Sequence, residues 1–235
     1  MDSIGTATPS PTREAADLRI YCDNDATSKT AGASARWQLV PDREQDPEGE
    51  KNSQKTTGQE WYDQVNFIRR TTDTNGCLDP DTLAETYVNP MQTHLGDPQV
   101  PASEKPQRSV ITICDRMFDR STIKFRTLSE VPPRRLDLKK TTLKSGALIN
   151  MPSVALLHEW THARGFDKDD VNGDDSYGWI NIQMLSAAQS LNNAENYAYY
   201  GLCAGLADMF YRLTTASSQQ AWNGVLVYDR TIPPE

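Results

Sequence analysis

Two histidines four positions apart, His158 and His162, enclose Glu159 in an H-E-x-x-H pattern inside the segment Ser153 to Gly165, which reads as helix. Positions i and i+4 of a helix stand one above the other, so both imidazoles reach a single cation. A chain that uses this pattern must therefore place one helix with its histidine face turned towards further ligands. Glu159 sets a carboxylate beside the same point, where it can take a proton from water. The whole chain has three histidines, and two of them stand here.

The 235 residues are enough to bury a core as one domain, expected over 17–235 behind a flexible tail at 1–16. A hydrophobic fraction of 37% with 24% charged residues is that of a soluble globular chain. The apolar run Val154-Ala155-Leu156-Leu157 is far too short to span a bilayer, so no membrane partner is expected. A net charge of −8 argues against a nucleic-acid partner. Residues 111–150 run the other way, with nine Lys/Arg against four Asp/Glu, and read as a solvated basic face. Cys22, Cys77, Cys114 and Cys203 lack any C-x-x-C spacing and fit two disulfides of a secreted protein, with four reduced thiols as the alternative; a monomer is the separate expectation for its assembly. The start Met1-Asp2-Ser3-Ile4-Gly5 has neither a basic nor an apolar signal region, so a secreted form would be the mature chain.

Leu18–Cys22, Trp37–Val40 and above all Val110–Cys114 read as strands. Trp61, Val65 and Ile68 have helical spacing, which predicts a short helix over Gln59–Arg70. Residues 41–58 and 96–109 read as loops, and 166–178 as an acidic loop. Ser153 is the expected N-cap of the histidine helix, with further helices over Ile180–Leu191 and Asn193–Thr214. The expected fold class is α+β and mainly helical: a helical C-terminal half around the metal helix, and an irregular N-terminal half with a small β-sheet.

Two imidazoles alone do not hold a catalytic zinc, and a third protein ligand is required. A continuation H-x-x-G-x-x-H is met by Gly165 but ends on Lys168, a cation. Glu195, the one glutamate between the motif and Glu235, would serve as in thermolysin-like sites. His94 lies far upstream in a proline-flanked loop. A fourth candidate comes from Asp174-Asp175-Ser176-Tyr177-Gly178, a D-x-x-Y-G pattern that starts twelve residues after His162.

With H-E-x-x-H followed by D-x-x-Y-G, residues 151–205 resemble the deuterolysin (aspzincin) family of fungal secreted zinc endopeptidases. The resemblance implies a zincin-like fold with a zinc ion held by His158, His162 and Asp174. It implies Glu159 as general base and Tyr177 as donor to the oxyanion. Asn193-Ala194-Glu195 is similar to the family's N-A-D helix start, whose acidic residue binds substrate and favours Lys or Arg just after the cut. Here Glu195 stands in place of that aspartate.

The activity implied is hydrolysis of peptide bonds in a protein or peptide substrate. Two other readings share the site: a secreted zinc-binding protein without catalysis, and a narrow-specificity protease effector. Glu159 separates the first of these from an enzyme, since a pure binder has no use for a base.

Overall fold

The computed structural model describes residues 18–22, 37–39, 60–63, 66, 68–71, 77, 81–88, 109–121, 123–131, 136–140, 148–214 and 217–231. They hold nine strands and five α-helices in two compact units, an α+β arrangement. His94, the tail at 1–16, the loop at 41–58 and nearly all of 96–109 lie outside the described residues.

The first unit, residues 1–115 with 163–165, carries two three-stranded sheets. In one, β6 (Ser109–Ile113) runs parallel to β1 (Leu18–Tyr21) and antiparallel to β5 (Ala84–Val88). All five residues of β6 are buried, which a central strand of Val, Ile and hydrogen-bonded Thr and Ser tolerates. Directly after β6, Cys114 is joined to Cys77 by a disulfide. The two-disulfide expectation is corrected here, because Cys22 and Cys203 are free thiols. Burial pushes the Cys203 thiol up to about 11.

The second sheet orders β2 (Trp37–Leu39), β3 (Glu60–Asp63) and β4 (Ile68–Thr71), all antiparallel. The helix expected over Gln59–Arg70 is therefore a hairpin. Its turn residue, Asn66, is fully buried; its side-chain oxygen accepts from Arg19 Nη1 at 3.0 Å and its amide donates to the Tyr21 hydroxyl at 3.3 Å. Partners forty-odd residues away hold that turn, and local spacing carries no trace of them.

The second unit, residues 116–162 and 166–235, contains the H-E-x-x-H segment. Helix α1 (Pro152–His162) opens on Pro152 and not after Ser153, since a first-turn proline has no amide to satisfy and its φ is already helical. Its buried residues Val154, His158 and Thr161 fall on one face. That face lies along α4 (Ala194–Asp208), whose own inward row is Glu195, Ala198, Tyr199, Leu202 and Leu206. Leu138, Leu148, Met151 and Ile182 belong to the same core.

The helix expected over Ile180–Leu191 is two: α2 (Trp179–Met184) and α3 (Ala187–Asn192). Ser186 divides them with a capping box, its backbone amide donating to Gln189 Oε1 at 3.0 Å. The S-x-x-Q spacing was present in the sequence as a start signal. The helix expected to Thr214 ends at Asp208, and Phe210, at φ 64, turns the chain into β8 (Tyr211–Leu213). After α5 (Ser218–Trp222), strand β9 (Val225–Tyr228) pairs antiparallel with β8 on one edge and β7 (Leu136–Asp137) on the other. The C-terminal half is thus less helical than its apolar spacing predicts. Among the described residues, no helix is long and apolar enough to cross a membrane.

Gly224, between α5 and β9, has φ +69, and an added Cβ would meet Trp179 Nε1 at 2.6 Å and Leu138 Cβ at 2.7 Å. Gly173, at φ +57, has nothing within 4 Å of that position. Gly173→Ala is expected to cost about 1–2 kcal/mol from backbone strain alone. Gly224→Ala adds overpacking of about 1–3 kcal/mol. Urea unfolding of both variants checks this, and equal midpoints would mean that Trp179 and Leu138 yield without cost.

Candidate metal centre

The path of the chain after α1 builds the site. From His162 the backbone turns at Gly165 (φ 96) and Asp167 (φ 48), then runs back along the start of α4. Lys168 N donates to Thr161 O at 2.9 Å, and Asp169 N donates to Asn192 O at 2.8 Å. Ala194 N donates to Asp169 O at 2.9 Å, and Val171 N donates to the side-chain oxygen of Asn193 at 3.1 Å. Asn193 is fully buried, and its amide is fixed by Asn196 Oδ1 at 2.7 Å. Asp170 is held between these anchors on both flanks.

Its carboxylate meets the two imidazoles. His158 Nε2 lies 3.3 Å from Asp170 Oδ1, His162 Nε2 lies 3.6 Å from Asp170 Oδ2, and the two Nε2 atoms are 3.1 Å apart. His158, His162 and Asp170 form the one group of metal-ligating side chains found among the described residues. Their other contacts decide where the protons sit. His158 Nδ1 faces Glu195 Oε2 at 3.1 Å, and His162 Nδ1 faces the carbonyl of Lys168 at 2.8 Å. Both partners only accept, so each ring carries its hydrogen on Nδ1 and turns a lone pair on Nε2 inward.

Two lone pairs and a carboxylate then converge, which is stable only around positive charge. Asp170 Oδ1 is buried without an aligned hydrogen bond. Burial opposes charge on His158, but the Asp170 and Glu195 carboxylates at its two nitrogens outweigh it and hold the pKa up at about 10. A proton on one ring satisfies part of this demand, and a divalent cation satisfies all of it. A tetrahedral zinc with bonds of about 2.0–2.1 Å sets its ligand atoms about 3.3 Å apart. With one oxygen taken from Asp170, the three ligand atoms lie within 4.8 Å of one another, close enough to share a metal ion.

Tyr177 stacks on His158 with ring centres 5.5 Å apart and planes 21° from parallel. Its phenol lies beside the Asp170 carboxylate, and burial together with that carboxylate's charge holds it protonated, well above the usual tyrosine range. Glu159 is half-buried on α1, and its charge reaches both His158 and Tyr177. Glu195 is 1% exposed, with its second oxygen accepting from Gly178 N at 3.2 Å. A carboxylate so enclosed does not meet a substrate's lysine, and its contacts are those of a group that orients His158. Trp160, by contrast, is 41% exposed.

Asp174, the third ligand implied by the resemblance, is exposed on the 3-10 turn Gly173–Ser176 and is not part of the group. What it offers the site is its backbone oxygen, which accepts from Tyr177 N at 3.3 Å. The return of the chain past Asn193 brings Asp170, and not Asp174, beside the two histidines. Asp170 was one of five aspartates in the acidic loop, and no local signal ranked it first.

Substituting the two aspartates separates them. Asp170→Asn is expected to weaken zinc binding by at least ~100-fold, beyond the loss typical of groups that only support a ligand. Asp174→Asn is expected to leave it within a few-fold, both read by competition with a chromogenic chelator. The reverse ranking would restore Asp174. No family model, curated protein or solved structure matches the chain, and the centre is read from its own residues.

Proposed function

We propose that this chain is a zinc-dependent metalloendopeptidase of zincin-like build, secreted and monomeric, that hydrolyses peptide bonds. One observation carries the reading. His158, His162 and Asp170 turn three acceptors to one point, each ring backed at Nδ1 by an acceptor, and Glu159 adjoins His158 on α1. Zinc there would polarise a peptide carbonyl and acidify water at neutral pH.

The chain's own groups supply the rest. Glu159 accepts the proton of the attacking water at its carboxylate and returns it to the departing amine nitrogen. Tyr177, kept protonated, has a phenolic hydrogen to donate to the oxygen that gains charge as the carbonyl is attacked. His158 and His162 would each offer a bound cation the Nε2 electron pair, their Nδ1 atoms facing Glu195 and the Lys168 carbonyl. The disulfide Cys77–Cys114 supports an oxidising, extracellular setting. The resemblance to the deuterolysin family supports the same activity.

Casein hydrolysis by the zinc-loaded protein is expected to vanish with a chelator and return with added zinc. Hydrolysis that survives the chelator would end the proposal. Glu159→Gln is expected to keep stoichiometric zinc and lose turnover by about 10²–10⁴-fold. Tyr177→Phe is expected to lower turnover by about 10²–10³-fold, the usual loss of an oxyanion donor. If either variant turns over like the parent, that residue has no part in the chemistry.

A further inference from the structure

Glu195 is the group the reaction leaves without a task. It lies in the first turn of α4, where carboxylates are ordinarily solvated, yet it is 1% exposed among Ala194, Ala198 and Tyr199. Burying a charge there is tolerated only if both oxygens are engaged. One accepts from His158 Nδ1 at 3.1 Å and the other from Gly178 N at 3.2 Å.

The second contact is the informative one. Gly178 follows Tyr177 and has φ 91, a conformation closed to residues with a Cβ, and this aims its amide at Glu195. Tyr177, held by that turn, stacks on His158 with its phenol beside Asp170. The contacts close a ring: Glu195 to His158, His158 to the Tyr177 face, Tyr177 through the chain to Gly178, and Gly178 back to Glu195. We infer that Glu195 is a positioning residue that sets two things with one carboxylate: the Nδ1–H tautomer of ligand His158, and the turn that holds the Tyr177 phenol against Asp170. The inference rests on the metal reading of His158, His162 and Asp170, and adds that two of these ligands are aligned through one buried group.

The test uses the full chain with zinc alone as probe. Glu195→Gln keeps size and removes charge; its zinc affinity, by chelator competition, is expected to fall about 10–100-fold. Tyr177→Phe is expected to weaken binding less. The double variant is expected to lose less than the product of the single losses, because both act on one ring of contacts. In the zinc-loaded parent, NMR is expected to show a slowly exchanging, low-field Nδ1 proton on His158 that moves upfield in Glu195→Gln.

A folded Glu195→Gln with affinity within twofold of the parent would overturn the inference, as would strictly multiplicative losses. If Glu195→Gln does not fold, the parent spectrum decides: a hydrogen-bonded His158 Nδ1 proton supports the role and its absence rejects it. A parent that binds no zinc is a different failure, since it removes the metal reading and the inference falls with it.

Discussion

The second unit is organised around a negative charge placed where water does not reach. Glu195 interrupts the apolar row of α4 at the point where α1 lies along it. Unpaired, a carboxylate there would cost about 3–5 kcal/mol. The structure meets that cost with an imidazole N–H from α1 and a backbone N–H from the Tyr177–Gly178 turn. One charge therefore ties three segments and dictates which nitrogen of His158 is left free.

The same logic extends outward from the ligands. Each imidazole turned towards the centre is already engaged on its other side: Glu195 behind His158 and the Lys168 carbonyl behind His162, with the Tyr177 phenol beside Asp170. None of these partners is a long, solvated side chain. A backbone carbonyl cannot swing away, Glu195 is buried and Tyr177 is half-buried. Little rotamer entropy would remain to be lost if a cation bound there, which is the condition for tight binding.

Asn193 shows how a residue outside the chemistry decides its geometry. At the entrance of α4 an asparagine ordinarily caps the helix with its side chain. Here the side chain makes no cap and instead accepts from Val171 N, while the backbone around it pairs with Asp169. The loop after α1 is thereby bound to the helix that carries Glu195, and Asp170 is delivered opposite the two histidines. An aspartate four residues later, Asp174, passes beyond the last anchor and faces solvent.

The sequence alone determined what local spacing can express. His158 and His162 share a face because a helix has 3.6 residues per turn, and strands β1, β2 and β6 follow from runs of β-branched and aromatic residues. It also carried the S-x-x-Q start of α3, a signal that apolar periodicity overrode. Only tertiary structure decided the place of Asp170 beside the two histidines, the hairpin at 60–71, the strands β8 and β9, and the pairing of Cys77 with Cys114 alone. The physical reason is common to all four. Each depends on which distant backbone or side chain a residue meets, as Asn66 meets Arg19 and Val171 meets Asn193, and such partners leave no period in the chain for a reader to find.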